Sequence, residues 1–210
     1  MAAQLSNSVF YHVPKTGGSW VRSALNRANI PRYEIGPDRT NPHGIPSEVE
    51  ELYESARTMY SFCFVRHPFD WYKSFFCFRS LNGWKPGHEK IDDYETKDFG
   101  EFIVNCTSKS PGWLTERFRP YVDGVDFVGK QENLCEDLIT ALNTAGEFFD
   151  EEDIRTMTPV NQAADLPVSS DGGFDSETKK AKYGDCAVWT PELSHLVQES
   201  EKETFERFGY

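Results

Sequence analysis

The sequence predicts an α/β domain of three layers, in which helices cover both faces of a mainly parallel central sheet. Strand-like and helix-like segments alternate along the chain, and one strand-like segment is apolar almost throughout. The chain has 210 residues, of which 38% are hydrophobic and 14% aromatic, so it can bury one substantial core. We therefore expect a single domain over residues 1–210.

The first strand and the first helix are predicted near the amino terminus. Residues Ser8 to Val13 are rich in β-branched and aromatic types and stop at Pro14, which indicates a strand that enters a loop. Between Gly18 and Ala28 the apolar residues recur at i, i+3, i+4 and i+7, which is the pattern of an amphipathic helix. Together these segments predict a strand, a loop and a helix in direct succession.

The next pair of elements contains the clearest strand of the sequence. Ser47 and Glu50 have the spacing of a capping box at the start of a second helix. Met59 to Val65 is nearly continuous in apolar and aromatic residues, as expected for a central parallel strand that is covered on both faces. Arg66 stands at the carboxyl end of this strand.

The second half of the chain predicts one more strand and two more helices. Val125 to Gly129 is a short strand candidate, the apolar spacing from Leu134 to Leu142 predicts the helix after it, and Thr190 can cap a last helix. Residues 81–100 and 161–186 break the alternation. Loops of this length are usually binding lids or disordered segments.

Composition and charge exclude several classes of partner. The formal net charge of −12 argues against a general nucleic-acid binder, which needs a basic surface to contact phosphates. The amino terminus lacks the pattern of a secretory signal, and no apolar run approaches the roughly 18 residues of a membrane span. The five cysteines show neither paired spacing nor a metal-ligand motif. We therefore expect a reduced, cytoplasmic protein with no metal and no membrane partner.

The segment from Val13 to Trp20 has the composition of an anion-binding turn. It places two glycines, two hydroxyls and Lys15 where a strand gives way to a helix amino terminus. Backbone N–H groups and the positive end of the helix dipole stabilise a phosphate or sulfate at such a position, and glycine lets the backbone approach the anion closely. The alternative is a plain tight turn. The lysine precedes the glycines, so the segment is not a Walker A loop.

Residues 14–20, Pro-Lys-Thr-Gly-Gly-Ser-Trp, resemble the 5′-phosphosulfate loop of PAPS-dependent sulfotransferases, in which Gly18 departs from the usual hydroxyl residue. Residues 64–76 resemble the 3′-phosphate motif of that family, and residues 125–134 and 189–210 resemble its late strand and its closing helix. The resemblance spans nearly the whole chain. It is closest to the carbohydrate type of sulfotransferase and implies a P-loop NTPase-like fold.

The resemblance also implies residues that bind the donor PAPS and the product PAP. They are Lys15, Thr16, Gly17, Gly18, Ser19, Trp20, Arg66 and Ser74. Arg66 and Ser74 keep the family's spacing for the 3′-phosphate, and a guanidinium fork with a neighbouring hydroxyl suits that group chemically. Trp20 would stack on the adenine, or else belong to the core. Lys15 would stabilise the charge that develops on the leaving phosphate, and this type of transfer requires no metal.

A hydroxyl acceptor also needs a general base, and histidine has a suitable intrinsic pKa. His43 is the first candidate, because its loop resembles the region that supplies the base in several carbohydrate sulfotransferases. His12, at the end of the first strand next to Lys15, is the second candidate. Glu34 is a third, since some members of the family use glutamate. Surface and core roles for the two histidines stay open.

The roles of residues in the two long segments, the identity of the acceptor and the function itself each have alternatives. The basic loop that the family closes over the 3′-phosphate is matched in composition by Lys179, Lys180, Lys182 and Gly184, which also suit a solvated charge run. Trp84 and Tyr94 would shape the acceptor pocket. We expect a hydroxyl-bearing or amine-bearing acceptor, such as a carbohydrate or a small metabolite, and a peptide or a lipid head group stays open as well. The rival functions are a P-loop kinase, which would need a Walker lysine and a magnesium-binding carboxylate, and a non-catalytic PAP-binding module.

Overall fold

The computed structural model describes residues 2–37, 44–157 and 187–210. The chain divides into two compact units, the first made of Met1–Arg66 with Arg117–Val160 and the second of His67–Glu116 with Asn161–Tyr210. The single domain stays a prediction. Among the helices of the described ranges, none is both long enough and apolar enough to cross a membrane.

The strands and helices alternate in the first half of the chain, and helices dominate the rest. The strands are β1 (Ala2–Gln4), β2 (Ser8–Tyr11), β3 (Tyr33–Ile35), β4 (Tyr60–Val65) and β5 (Phe127–Lys130). The helices are α1 (Gly18–Arg27), α2 (Pro46–Leu52), α3 (Pro68–Asn82), α4 (Phe99–Lys109), α5 (Trp113–Val122), α6 (Leu134–Ala145), α7 (Glu151–Arg155), α8 (Pro191–Ser200) and α9 (Lys202–Phe208). Short 3₁₀ turns lie at Glu54–Thr58, Lys90–Tyr94 and Gln131–Asn133.

The first unit is built on a five-stranded mixed sheet with the strand order β3-β1-β2-β4-β5. Strands β2, β4 and β5 pair in parallel, whereas β1 pairs antiparallel with both β2 and β3. The α/β prediction is therefore confirmed, with a sheet that is parallel at its centre and antiparallel on one side. The sequence analysis missed β1 and β3, which are three residues long each.

The parallel strands follow the apolar segments of the sequence closely. The central strand β4 begins one residue later than predicted, and five of its six residues are buried. Strand β5 begins at Phe127 rather than Val125. Phe10 lies opposite Phe62, and Phe62 lies opposite Phe127 across the three strands. Helices α1 and α6 complete this core with Val21, Leu25, Leu138 and Leu142.

The predicted capping box of the second helix is wrong. Helix α2 begins at Pro46, one residue before Ser47, because proline suits the first helical position. The Glu48 carboxylate accepts the hydrogen bond from the Ile45 N–H at 3.4 Å. Glu50 instead accepts a hydrogen bond from the Tyr11 hydroxyl, also at 3.4 Å.

The second unit has a core of aromatic side chains. The rings of α3 and α4 stack on one another, as Phe75 does on Trp71 at 5.2 Å and on Phe102 at 6.2 Å between centroids. Trp113 packs against Trp71 at 5.4 Å. The aromatic residues of α3 thus form much of the core of the second unit.

The last helix of the prediction is two helices, α8 and α9, separated at Glu201. The predicted cap is confirmed, since the Thr190 hydroxyl accepts a hydrogen bond from the Leu193 N–H at 3.3 Å. Glu201 is fully buried at the break between the two helices. A buried carboxylate is costly unless donors surround it.

Donors from α3 and from the first turn of α5 surround the Glu201 carboxylate. One oxygen accepts from the Tyr72 hydroxyl at 2.7 Å and from the Leu114 N–H at 3.2 Å. The other accepts from the Thr115 N–H at 2.9 Å and from the Thr115 hydroxyl at 2.8 Å. Glu201 therefore caps α5 from a distant part of the chain. Burial, and then the charge of Glu201, raises the pKa of Tyr72, which keeps the phenol protonated as a donor.

One cysteine contradicts the prediction of a fully reduced chain. Cys77 is completely buried in α3 and is disulfide-bonded, whereas Cys106 and Cys135 are thiols. Disulfides are rare in reducing compartments. The cysteine pattern therefore no longer supports a cytoplasmic location.

Gly129 lies where two neighbouring side chains leave no room for a Cβ. A Cβ there would lie 2.5 Å from Cε1 of Phe64 and 2.9 Å from Cβ of Asp137. We predict that Gly129→Ala lowers the free energy of unfolding by about 1–3 kcal/mol, measured by urea denaturation. Phe64→Leu makes room for the methyl group. The double variant should therefore lose less unfolding free energy than the two single variants lose together. Strict additivity would contradict this explanation.

Candidate functional site

The carboxyl ends of the three parallel strands carry the residues that the sequence analysis singled out. Because β2, β4 and β5 are adjacent and parallel, the segments that follow them meet at one edge of the sheet. Ligands of open α/β sheets bind at such an edge. The loop of residues 13–17, named here the Lys15 loop, follows β2, and Arg66 follows β4.

The Lys15 loop turns sharply and leads directly into α1. Lys15 and Gly17 both have positive φ angles, 67° and 90°. The first hydrogen bond of α1 runs from the Val21 N–H to the Gly17 carbonyl at 3.1 Å. The N–H groups of the preceding residues, 18–20, therefore have no acceptor within the helix. These donors, together with the helix dipole, can stabilise an anion.

Glycine is required at position 17 for two reasons: its φ angle is positive, and a neighbouring side chain leaves no room for a Cβ. A Cβ at this position would lie 2.7 Å from Cδ2 of Leu134, the first residue of α6, and 3.4 Å from Cγ of Gln131. The turn between β5 and α6 thus lies directly against the Lys15 loop. The sequence analysis did not place Gln131 at the site, although its position after a parallel strand could have indicated it.

The turn after β5 is held by the Asp137 side chain. Its carboxylate accepts from the Lys130 N–H at 2.6 Å and from the Asn133 side-chain amide at 2.7 Å. These bonds fix the backbone at the carboxyl end of β5. Lys130 adds a third basic residue at this edge of the sheet, after Lys15 and Arg66, and the sequence analysis assigned it no role.

Arg66 contacts the Lys15 loop itself. Its Nη1 donates a hydrogen bond to the Lys15 carbonyl at 3.3 Å, and the side chain is half-buried. The fold therefore brings together two residues that lie 51 positions apart in the sequence. A guanidinium carries five N–H donors in a planar fork, which is a geometry that suits phosphate oxygens.

Two residues of the predicted donor site already have structural roles. The Thr16 hydroxyl is buried and donates its one proton to the Val13 carbonyl at 2.8 Å, so it stabilises the turn. Trp20 is 9% exposed and belongs to the hydrophobic core around Phe10 and Val21. Ser19, in the first turn of α1, is exposed. Stacking of Trp20 on adenine stays a prediction.

Gly18, the first residue of α1, lies against the ring of His12. A Cβ at Gly18 would approach the Cδ2, Nε2 and Cγ atoms of His12 more closely than 3.0 Å, a distance that real Cβ atoms essentially never show. His12 directly follows β2 and its ring stacks on Phe10, with centroids 6.1 Å apart. The glycine that departs from the sulfotransferase motif therefore accommodates an imidazole.

Among the candidate bases other than His12, Glu34 lies within the described residues. Glu34 accepts hydrogen bonds from Arg22 at 3.3 Å and from Arg32 at 3.2 Å, which occupies both of its oxygens. His43 lies outside the described residues, as do Lys179, Lys180, Lys182 and Gly184. Ser74 is half-buried on α3 in the second unit, and its part in binding the 3′-phosphate stays a prediction.

The two aromatic residues proposed for the acceptor pocket belong to the second unit. Trp84 packs against Phe102 at 5.5 Å and against Phe76 at 6.0 Å between centroids. The Tyr94 hydroxyl is hydrogen-bonded to the Ser110 hydroxyl at 2.7 Å. Both residues have packing roles, and a role in acceptor binding stays a prediction.

Within the described parts of the chain, no group of three or more His, Cys, Asp or Glu side chains is arranged to hold a metal ion. A comparison with protein-family models, with curated proteins and with solved structures found no match to this chain.

Proposed function

We propose that the protein is a sulfotransferase that moves a sulfuryl group from PAPS to a hydroxyl or amine of an acceptor. One observation carries the proposal: the Lys15 loop and Arg66 follow adjacent parallel strands, and the Arg66 guanidinium reaches the Lys15 carbonyl at 3.3 Å. A cation at the loop and a guanidinium beside it suit a ligand with two anionic groups. PAPS is such a ligand, with a 5′-phosphosulfate and a 3′-phosphate.

The backbone of the Lys15 loop supports the assignment of the 5′ group. Gly17, with its positive φ angle of 90°, lets the loop turn directly into α1. The N–H groups of residues 18–20 and the positive end of the α1 dipole supply preorganised donors. We assign the 3′-phosphate to Arg66, and the contact from Ser74 that the sequence motif implies stays a prediction.

The proposed fold is the P-loop NTPase-like, three-layered arrangement. It is supported by the parallel β2-β4-β5 centre and by a phosphate-type loop between β2 and α1. Such loops at strand–helix junctions bind anions in several otherwise unrelated families. The fold analogy alone would not assign the reaction, so the proposal depends on the positions of Lys15 and Arg66.

The reaction we propose is a single in-line displacement. A bond forms between the acceptor oxygen and sulfur, while the bond from sulfur to the bridging phosphate oxygen breaks and PAP leaves. Lys15 stabilises the negative charge that grows on that bridging oxygen. The proton of the acceptor hydroxyl passes to a general base, for which His43 is the first candidate.

Ligand-induced stabilisation tests the proposed donor site. We expect PAP, at one hundred times its dissociation constant, to stabilise the protein by about 2.7 kcal/mol, seen as a higher midpoint of thermal unfolding. The shift should shrink in Lys15→Ala and in Arg66→Ala, because each removes a positive charge from the site. ATP with magnesium is the comparator for a kinase.

Matched variants separate the site from a general effect of charge. Lys202→Ala and Arg207→Ala remove the same charges from exposed positions on α9 and should keep the full PAP shift. Stabilisation by ATP and magnesium alone would favour a kinase, and the absence of a shift with PAP would refute the proposed donor site. Turnover of PAPS to PAP distinguishes an enzyme from a module that only binds PAP.

A further inference from the structure

Helix α4 carries a sequence motif that the proposed function does not use. Residues 105–107, Asn-Cys-Thr, match the acceptor motif for N-linked glycosylation, in which an asparagine is followed two positions later by serine or threonine. No other asparagine of the chain has this spacing. Because so short a motif also arises by chance, its value as an acceptor depends on where the fold places the asparagine.

The side chain of Asn105 faces solvent. The buried face of α4 consists of Phe99, Phe102, Ile103 and Cys106. Asn105 lies beside this face, and its helical neighbours Glu101, Ser108 and Lys109, at i−4, i+3 and i+4, are exposed. Among the described residues the Asn105 amide has no hydrogen-bond partner, and it does not belong to the buried polar groups that lack one. Its nitrogen can therefore carry a substituent that extends into solvent.

The state of the cysteines independently indicates an oxidising compartment. Cys77 is disulfide-bonded, and disulfides persist in compartments such as the lumen of the endoplasmic reticulum. The thiols of Cys106 and Cys135 are compatible with such a compartment. Burial raises the pKa of both thiols, and a protonated thiol does not attack a disulfide.

Helix α4 completes its packing only with residues from near the end of the chain. The ring of Phe99 packs against Trp189, with centroids 4.9 Å apart. A Cβ at Gly100 would lie 3.7 Å from Cδ1 of Leu193 on α8. Residues 105–107 are synthesised well before these partners. The motif is therefore accessible to a transferase before α4 is packed in place.

We propose that Asn105 is a site of N-linked glycosylation. In this modification the amide nitrogen of Asn105 forms a bond to the anomeric carbon of a lipid-linked oligosaccharide diphosphate. The bond from that carbon to the phosphate oxygen breaks, the lipid diphosphate leaves, and one amide proton passes to a base of the transferase. The inference is independent of the proposed sulfotransferase activity, because it involves none of the residues assigned to PAPS.

Mass spectrometry of the secreted full chain tests the site. The chain is directed into the secretory pathway of a eukaryotic cell by a cleavable signal, and the tryptic peptide of residues 98–109 is analysed. We expect this peptide to carry one oligosaccharide, and its release by a peptide N-glycosidase to convert the asparagine into aspartate. Thr107→Ala should abolish the modification, because it removes the hydroxyl of the motif. Ser108→Ala is the matched control and should retain it, because the neighbouring hydroxyl lies outside the motif.

Three outcomes would overturn the inference. The first is an unmodified peptide from the original chain. The second is a glycan that occurs only in aggregated material, since we expect the folded glycoprotein to keep its midpoint of thermal unfolding after the glycan is removed. The third comes from protein purified from its native source and alkylated in denaturant without a reductant. Alkylation of Cys77 there would show that the chain stays reduced and does not enter the compartment in which the glycan is attached.

Discussion

Lys15→Met should reduce the turnover of PAPS to PAP by about 10²–10³-fold, while PAP binding weakens much less. The reason is that a cation aimed at the leaving oxygen stabilises the transition state more than the ground state. Methionine retains much of the length of the side chain. It also bears the same cost of the positive φ angle of 67° at this position, whereas glycine would relieve that strain and complicate the comparison.

The measurement is the release of PAP from PAPS with water as the acceptor, which does not require the natural acceptor to be known. Lys202→Met is the matched control, because Lys202 is exposed on α9. We expect this variant to retain the original rate. A Lys15→Met protein with normal turnover would refute the assigned role of Lys15, and a large loss of PAP affinity with unchanged turnover would make Lys15 a binding residue only.

Glu201→Ala is expected to have the largest effect on stability, a loss of roughly 3–5 kcal/mol in the free energy of unfolding. Removal of the carboxylate leaves the Tyr72 hydroxyl and two N–H groups of α5 without their acceptor. It also removes one of the two partners of the Thr115 hydroxyl, the other being the Thr204 hydroxyl at 2.7 Å. Urea denaturation followed by circular dichroism measures the loss. If the protein does not fold, Glu201→Gln provides a smaller perturbation of the same site.

Glu201→Gln distinguishes the hydrogen bonds from the packing. The amide keeps the shape of the side chain, but its NH₂ group must face two donors, so we expect a loss of about 1.5–3 kcal/mol. Glu203→Gln is the control, since Glu203 is exposed on the same helix and should change stability by less than about 0.5 kcal/mol. A change of similar size in both variants would contradict the capping role of Glu201.

The parallel centre of the sheet could be predicted because its signals are local. Strand β4 consists of consecutive buried residues, and helices α1 and α6 show apolar spacing at the helical period. Strands β1 and β3 could not be predicted in the same way. Each has three residues, and each forms only because β1 pairs with a strand on either side.

The site was predicted in part, for a similar reason. The Lys15 loop and Arg66 have recognisable local patterns, and parallel pairing then brings them to one edge. The contact between His12 and Gly18 and the position of Gln131 depend on how the loop folds back, so no spacing in the sequence indicates them. Burial of Glu201 was equally hidden, because glutamate in a helical segment normally faces water.

The capping of α5 by Glu201 also bears on the order in which the chain can fold as it leaves the ribosome. The bond from the Thr115 N–H spans 86 residues of sequence. Until residue 201 has emerged, the first turn of α5 lacks its acceptor and Tyr72 lacks its partner. Completion of the second unit must therefore wait until residue 201 has emerged, so a nascent chain exposes the aromatic surface of α3 and α4 between the synthesis of these helices and that of Glu201, and it would gain from a chaperone during that interval.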